Sequence, residues 1–274
     1  MRLKDALGRE HVFPEPPERI VSLVPSITET LFALGLEERV VGVTDFCVHP
    51  EEGVRTKPHV GGTKNPSLAR IHELAPDLVL ANKEENRQRD VERLEAAGIR
   101  VFVTYARTLA EAIEEIRTLS GLMRAEARAQ PILLEVEQAW AAARGLTSEP
   151  RPRVVALIWK GPYMAVGGDT FAHDMIVQSG GTNPFADESR RYPRIDAERL
   201  AAARPEVILL PTEPYTFAEP DRLELLRLDC PAARAGRIHI LEGELLSWYG
   251  PRMGRALRVL SDLILGSPAP SLDF

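Results

Sequence analysis

The sequence predicts an α/β protein with two Rossmann-like lobes, each with a parallel-type sheet, joined by a long rigid helix. Three observations support this. Apolar, β-branched runs alternate with amphipathic stretches, a helical stretch of unusual length divides the chain, and the two flanks share a local sequence pattern. We expect residues 1–107 to form the N-terminal lobe, residues 108–150 the helical connector, and residues 151–274 the C-terminal lobe with its terminal helix.

The N-terminal lobe opens with a short β-rich run at residues 19–24. Ser26 and Glu29 predict a capping box for the helix that follows, and Gly35 suits its end. Ser67 is predicted to cap a later helix. The further elements are strands at 40–43, 77–81 and 100–104 and helices at 68–74 and 86–97. Strands and helices that alternate in this way predict a parallel sheet with right-handed crossovers.

The connector has apolar residues at helical spacing, from Leu109 to Ala143. Gly121 and Pro131 interrupt this pattern. We therefore predict one helix ending near Gly121 and a second, longer helix that Pro131 either begins or kinks.

The C-terminal lobe repeats the alternation, with strands at 153–158, 206–210 and 237–241 and helices at 170–178, 197–203, 221–228 and 251–265, before a loose tail at 267–274. Residues 68–80 align without gaps on residues 197–209. The glycine-rich segments upstream of these two stretches also resemble each other, which favours a duplicated architecture.

Composition excludes several classes of protein. The formal net charge of −6 gives no electrostatic footprint for nucleic acid. No apolar run reaches the roughly 18 residues of a transmembrane helix. Cys47 and Cys230 could form at most one disulfide, and we expect two unpaired thiols. The charged N-terminus has no secretory-signal pattern, so either a signal was removed or the protein stays in the cytoplasm.

Catalytic motifs are missing from the sequence. There is no dinucleotide-binding glycine motif, Walker lysine, nucleophile elbow or zinc-binding motif. We therefore predict a binding protein with no catalytic residue, no resident metal and no required cofactor. The less favoured alternative is a metal-dependent enzyme that uses His49, His59 or His173.

A ligand is expected in the cleft between the lobes, beyond the carboxyl ends of the strands. Aromatic and polar residues are concentrated in segments that follow strands or lie in long loops, among them those containing Phe46, Trp159 and Tyr192. Aromatic faces near arginines suit a large, flat or partly anionic ligand. The alternative for Trp159 and Trp248 is a role in core or lobe packing.

The segment RIVSLVPSITE at residues 19–29 resembles the opening strand and helix of class III substrate-binding proteins of ABC importers, which serve cobalamin, haem and ferric siderophores. Gly61-Gly62, residues 68–80, the helical connector and the segment GGTN at 180–183 also fit. The resemblance covers nearly the whole chain and is strongest to the cobalamin-binding branch. It implies two lobes on one helix and a cobalamin-like or metal-chelate ligand carried without chemistry.

In the cobalamin-binding members, a ring-stacking Trp occupies the loop where this chain has Thr63 and Lys64. Matching positions and the strand-end pattern together predict the ligand-binding residues Phe46, His49, Thr63, Lys64, Asn86, Trp159, Tyr163, Tyr192, Trp248, Tyr249 and Arg252.

The resemblance also implies docking to an ABC permease dimer through one surface glutamate on each lobe. Glu198 occupies this position in the second lobe, but Ala69 occupies it in the first, where Glu73 is one turn away. We expect a monomer outside the cytoplasm, in the periplasm or anchored to a membrane. The alternative is a cytoplasmic ligand-binding sensor of the same fold.

Overall fold

The computed structural model of the chain describes residues 1–146 and 149–266. It divides into two compact units. The first unit comprises Met1–Ala106, Ala110–Leu133 and Tyr249–Pro251, and the second comprises Arg107–Leu109, Leu134–Trp248 and the described residues from Arg252 onwards. The predicted tail at 267–274 lies outside the described residues, as do residues 147 and 148 of the predicted connector. The predicted three-part division of the chain stays a prediction.

The first unit contains a four-stranded sheet in the order β4-β3-β7-β8, and every strand pair in it is parallel. Two small hairpins, β1-β2 and β5-β6, accompany it. The elements are β1 (Arg2–Lys4), β2 (Glu10–Val12), β3 (Ile20–Ser22), α1 (Pro25–Ala33), β4 (Val40–Val43), α2 (Glu51–Val54), β5 (Gly61–Gly62), β6 (Asn65–Pro66), α3 (Leu68–Glu73), β7 (Leu78–Asn82), α4 (Gln88–Ala96), β8 (Val101–Thr104) and most of α5 (Leu109–Met123).

Helix α6 (Glu126–Leu146) contributes its first residues to the first unit and the rest to the second. The second unit then contains β9 (Val154–Trp159), β10 (Tyr163–Ala165), α7 (Phe171–Gln178), β11 (Arg194–Ile195), α8 (Ala197–Ala202), β12 (Val207–Pro211), α9 (Glu219–Leu225), α10 (Pro231–Arg234), β13 (Ile238–Leu241), α11 (Glu244–Ser247) and α12 (Met253–Leu265). Within the described residues, no helix is both long enough and apolar enough to cross a bilayer.

The second unit's five-stranded sheet has the order β11-β10-β9-β12-β13. Strands β9, β12 and β13 are parallel, whereas β10 and β11 add antiparallel edge strands. The prediction of an α/β fold with parallel-type sheets is confirmed, and the antiparallel edge is an addition to it. Strand β10 pairs with its neighbour in sequence, β9, and β11 pairs with β10 from further along the chain. Both strands are too short, at three and two residues, for an alternating pattern to show in the sequence.

Helix boundaries differ from the predictions most clearly at α1 and in the connector. Helix α1 begins at Pro25 with no side-chain cap, so the capping box predicted at Ser26 is wrong. Proline is favoured in the first turn because its missing N–H would be unpaired there anyway. Helix α5 runs past Gly121, and the break before α6 falls at Arg124, where φ is 55°. Pro131 lies inside α6, so it does not begin that helix.

The first unit contains a tightly bonded helix–turn–strand segment, α3 to β7. Arg19, which precedes β3, donates from Nη2 to Leu74 O at 2.6 Å and from Nε to Ala75 O at 3.1 Å. Ala75 has a φ of 44°. Asp77 Oδ2 accepts from the backbone N–H of Arg19 at 2.9 Å. These bonds satisfy carbonyls that the end of a helix leaves unpaired.

The second unit repeats this arrangement from α8 to β12. Arg153, which precedes β9, donates to Ala203 O from Nε at 2.9 Å and from Nη2 at 2.6 Å. Arg204 has a φ of 48°, and Glu206 Oε2 accepts from the backbone N–H of Arg153 at 2.9 Å. The predicted internal repeat therefore has a left-handed residue and an arginine cap at the same place in both copies, although Arg19 bonds two carbonyl groups and Arg153 bonds one.

Candidate functional site

The loop after β4 presents one aromatic ring to solvent and buries its neighbour. Phe46 is 60% exposed, whereas Cys47 is 2% exposed. The Cys47 sulfur lies 3.1 Å from Thr28 Oγ1 and 3.2 Å from Thr44 Oγ1. Burial raises the pKa of the Cys47 thiol. Cys47 thus anchors the loop in its neutral form, and Phe46 remains at the surface.

The β5-β6 hairpin lies against the Phe46 ring. A Cβ on Gly62 would be 3.3 Å from Phe46 Cε2 and 2.5 Å from Asn65 Oδ1. Only glycine permits this approach without displacing its neighbours. Thr63, the next residue, is 7% exposed and occupies the turn of the hairpin.

Asn86 holds that hairpin to the sheet. Its Nδ2 donates to Thr63 O at 2.9 Å and to Leu23 O at 3.3 Å. Its Oδ1 accepts from the backbone N–H of Asn82 at 2.8 Å. Asn86 lies in the turn before α4, not in the helix predicted from the sequence, and it is 8% exposed. This geometry gives Asn86 a positioning role for the turn at Thr63.

Acidic groups follow β7. Lys64 Nζ donates to the backbone O of Glu84. Burial raises the pKa of Glu85, and nearby Lys64 partly opposes that shift. Tyr249 accepts a hydrogen bond from Asn82 Nδ2, and burial holds the pKa of its phenol well above the ordinary range. The first unit therefore combines exposed aromatic area at Phe46 with a carboxyl, Glu85, and a phenol, Tyr249, whose pKa values are raised by burial.

The histidines proposed as alternative metal ligands have other neighbours. His59 Nδ1 lies 3.2 Å from Asp45 Oδ1, and His173 Nδ1 lies 3.2 Å from Asn183 Nδ2. Burial lowers the pKa of His173. Residues 1–146 and 149–266 contain no group of three or more His, Cys, Asp or Glu side chains that could hold a metal ion. His49 and the other two histidines are thus not part of such a group.

The second unit presents an aromatic ladder, which we define as Trp159, Tyr215 and Phe217. Trp159 ends β9 and is 42% exposed. Its ring meets Tyr215 edge-on with centroids 5.7 Å apart, and Tyr215 meets Phe217 in the same way at 4.7 Å. Phe217 is 2% exposed. A buried ring thus supports the exposed indole through Tyr215, in the geometry that aromatic pairs prefer.

Lys160, the residue after Trp159 of the aromatic ladder, belongs to an ionic network. Lys160 Nζ is 2.7 Å from Asp221 Oδ1 and 2.7 Å from Glu224 Oε2. Tyr163 donates from its hydroxyl to Glu224 Oε1 at 2.7 Å. Burial, together with the hydrogen bond to Glu224, raises the pKa of Tyr163 to about 12. Tyr163 lies in β10 and not in a loop, so its hydroxyl serves to join β10 to α9.

The remaining predicted residues of the second unit form two cation–π pairs. The Arg191 guanidinium lies 5.8 Å from the centre of the Tyr192 ring, and that of Arg252 lies 5.1 Å from the Trp248 ring. Trp248 is only 7% exposed, which fits the packing alternative considered for it. Tyr249, its neighbour in sequence, belongs to the first unit.

Sequence reasoning missed two aromatic residues. Tyr105 follows β8 and lies beneath Lys83, whose Nζ is 5.0 Å from the ring centre. Tyr215 follows β12 and completes the aromatic ladder. Both obey the rule that identified Trp159, because each comes just after the carboxyl end of a strand.

Known proteins similar to this chain were found by sequence and by structure. The periplasmic binding protein family model matches residues 20–239. The vitamin B12-binding protein of Vibrio parahaemolyticus is 24% identical over 244 residues, which cover 89% of this chain and 88% of the relative.

Among solved structures, the periplasmic heme-binding protein RhuT from Roseiflexus sp. RS-1 has a TM-score of 0.77 at 29% identity, covering 91% of this chain and 98% of that one. The periplasmic vitamin B12 binding protein BtuF of Vibrio cholerae has a TM-score of 0.79 at 21% identity, covering 92% and 98%, and shares the fold.

The family match spans both described sheets and most of the chain, and it supports an extracytoplasmic location. This chain therefore belongs to the periplasmic binding protein family, and its role is to bind a substrate and not to catalyse a reaction.

Proposed function

We propose that this chain captures a cobalamin or a related metal chelate such as haem and delivers it to an ABC importer. The observation that carries the proposal is the pair of exposed aromatic side chains at strand ends, Phe46 at 60% and Trp159 at 42% exposure. The names of the relatives, which bind vitamin B12 and heme, support the ligand class.

Both rings are held in place before a ligand arrives. The buried thiol of Cys47 anchors the Phe46 loop, and Tyr215 supports the Trp159 indole. Rings fixed in this way lose little conformational entropy on binding, so they can contribute most of their contact area to affinity. Large tetrapyrrole-like rings offer flat apolar faces to such side chains, and their amide or carboxylate rims require hydrogen-bonding groups.

Calorimetric titration with cyanocobalamin and with hemin tests the proposal directly. We expect Trp159→Ala and Phe46→Ala each to raise the Kd by about tenfold to a hundredfold, which corresponds to the loss of a central aromatic contact. Leu134→Ala is the matched control, because Leu134 is a large apolar side chain with 54% exposure that is outside the candidate site.

Two results would contradict the proposal. One is that the wild-type protein binds neither probe. The other is that Leu134→Ala weakens binding as much as the two aromatic substitutions, because the effect would then report surface hydrophobicity and not a site.

Delivery requires docking, and we propose that the second unit supplies the main acidic contact. Glu198 is exposed on α8, whereas Ala69 is exposed at the equivalent position of α3. A monomer would then dock on the permease dimer with one charge-assisted contact, worth about 1–3 kcal/mol. Pull-down by the permease in nanodiscs should weaken for Glu198→Ala and strengthen for Ala69→Glu. Unchanged capture by both variants would exclude this docking mode.

A further inference from the structure

The carboxyl ends of two neighbouring strands in the first unit carry a lysine that lies over an aromatic ring. Lys83 directly follows β7 and Tyr105 directly follows β8, and these two strands are parallel. The backbone N–H of Lys83 donates to Thr104 O at 3.0 Å, and Lys83 Nζ lies 5.0 Å from the centre of the Tyr105 ring. The backbone bond and the ring contact together restrict the direction of the lysine side chain.

The Lys83 ammonium is exposed and keeps its hydrogen-bond donors. Within residues 1–146 and 149–266, Lys83 Nζ forms no salt bridge and no hydrogen bond to the protein. Lys64, by contrast, donates from its Nζ to the backbone O of Glu84. An ammonium has three donor hydrogens, and a ring face attracts the charge without accepting as an oxygen does. Lys83 can therefore bind an anionic group without losing a protein partner.

The charges near Lys83 do not oppose such a group. Glu84 and Glu85, the next two residues, are half-buried. Burial raises the pKa of Glu85 and so disfavours its charged form, and Lys64 attracts the charge that remains. Lys64 and Lys83 thus offset the two acids, although the whole chain has a formal net charge of −6.

Lys83 also lies on the same edge of the sheet as the exposed Phe46 ring. The strand order is β4-β3-β7-β8 and every pair is parallel, so all four carboxyl ends meet at one edge. Phe46 lies in the loop after β4, and Tyr105 follows β8. Three strand spacings separate β4 from β8, which is about 14 Å at roughly 4.8 Å per strand. A tetrapyrrole has a comparable width, so a flat chelate that contacts Phe46 can bring its rim to Lys83.

We propose that Lys83 is a specificity-determining residue whose ammonium, held over the Tyr105 ring, binds a carboxylate or phosphate oxygen on the rim of the ligand. This inference rests on the proposed function and narrows the ligand to chelates that carry an anionic rim group. A hydrogen bond between an ammonium and an anionic oxygen is about twice as strong as one between neutral groups, so a neutral rim binds less tightly. Hemin offers carboxylates and cyanocobalamin offers a phosphate.

Calorimetric titration with paired probes tests the contact and identifies the anionic group. Hemin is compared with hemin dimethyl ester, which lacks the carboxylate charges, and cyanocobalamin with dicyanocobinamide, which lacks the phosphate. We expect Lys83→Gln to raise the Kd of the anionic probe about tenfold and to leave the Kd of its partner probe unchanged. An effect confined to hemin assigns a carboxylate as the rim group, and one confined to cyanocobalamin assigns a phosphate.

Two further variants separate the local contact from the net charge. Lys57→Gln is the matched control, because Lys57 Nζ donates to Glu37 O at 2.7 Å, before the amino end of β4 and thus at the opposite edge of the sheet. It removes the same charge and should leave every Kd unchanged. Lys83→Arg keeps the positive charge and should retain most of the affinity. Raising the salt from about 50 mM to about 500 mM should reduce the difference between the wild type and Lys83→Gln.

The outcomes distinguish this inference from the proposed function. If Lys83→Gln binds the anionic probe as tightly as the wild type does, or weakens both probes of a pair equally, the contact at Lys83 is refuted and the proposed function stands. An equal loss in Lys57→Gln would also refute the contact, because the effect would then depend on net charge. If the wild type binds none of the four probes, both the proposed function and the contact at Lys83 are wrong.

Discussion

The two units share one helix–turn–strand segment, but their strand ends carry different polar groups. In the first unit, the turn after β7 carries Asn86, an uncharged amide that holds the hairpin at Thr63. In the second unit, β9 leads into ions paired with each other, Lys160 with two carboxylates. The repeated part stabilises each unit, and the residues beyond it are free to differ. The comparison thus separates the residues needed for folding from those that can specialise in a ligand.

The repeat predicts that equivalent core substitutions in the two units lower the free energy of unfolding by similar amounts. These are the largest effects we expect. Ile71 on α3 and Leu200 on α8 correspond in the alignment, and both are 0% exposed. Ile71→Ala and Leu200→Ala should each lower the free energy of unfolding by about 2–5 kcal/mol, through lost burial and an incompletely filled cavity. Hydrogen exchange should locate each loss in the unit that carries the substitution. If each substitution reduced protection from hydrogen exchange equally in both units, the two units would not have separate cores.

Glu115 on α5 of the first unit and the ionic network around Lys160 in the second unit predict opposite responses to pH. Glu115 keeps its proton in the folded state above its ordinary pKa of 4.5, so stability of the first unit is full below that value and falls as pH rises to about 8. Glu115→Gln should therefore be more stable than wild type at pH 9 by about 2 kcal/mol and equal to it near pH 5. Thermal unfolding at the two pH values, with Glu114→Gln as control, measures this.

The second unit should respond in the other direction. Hydrogen bonds from Lys160 lower the pKa values of Asp221 and Glu224 below their ordinary 3.8 and 4.5. The stabilisation that these two carboxylates contribute is present when the pH is above their ordinary pKa values, and it is lost as the pH falls through the lowered pKa values. Hydrogen exchange around α9 should accelerate below about pH 4 in the wild type. The exchange rate should change less with pH in the Asp221→Asn variant. If exchange accelerated equally in the wild type and in this variant, loss of the Lys160–Asp221 ion pair would not be its cause.

The arginine caps should contribute similarly in the two units. Arg19→Ala and Arg153→Ala each remove two hydrogen bonds to carbonyl groups at the end of a helix, in exposed surroundings. We expect each variant to lose about 1–2 kcal/mol in denaturant titration. Arg55→Ala, an exposed arginine on another part of the first unit, should lose less than about 0.5 kcal/mol. If only one of the two arginine substitutions left the free energy of unfolding nearly unchanged, the two copies of the helix–turn–strand segment would not be equivalent.

The smallest effect concerns the left-handed residues in the two turns. Ala75 and Arg204 have positive φ values of 44° and 48°, which glycine adopts without penalty. Ala75→Gly and Arg204→Gly should each raise stability by up to about 1 kcal/mol, since relief of strain outweighs the added freedom of the unfolded chain. Denaturant midpoints can resolve this difference. Destabilisation by both substitutions would mean that the positive φ carries little strain.

Local patterning predicted the parallel strands, the longer helices and the repeat, because buried parallel strands and amphipathic helices have distinct periods. It missed the short strands β1, β2, β5, β6, β10 and β11. It identified Phe46 and Trp159 from their positions after strands. It did not identify Tyr215, although the same rule applies, and it did not distinguish the exposed Trp159 from the buried Trp248. Exposure depends on which distant segments cover a residue, and that information is not local.

The sequence by itself determined the fold class, the duplicated segment and the aromatic character of the strand ends, since these depend on residue type and spacing along the chain. The tertiary structure decided what the polar residues do. Asn86, a predicted ligand contact, donates to Thr63 O in the turn of the hairpin, and Tyr163, another predicted contact, joins β10 to α9 through Glu224. It also brought Asn82 and Tyr249 into a hydrogen bond, although they are 167 residues apart in sequence. Hydrogen bonds act over about 3 Å in space, so only the folded chain determines which polar groups become partners.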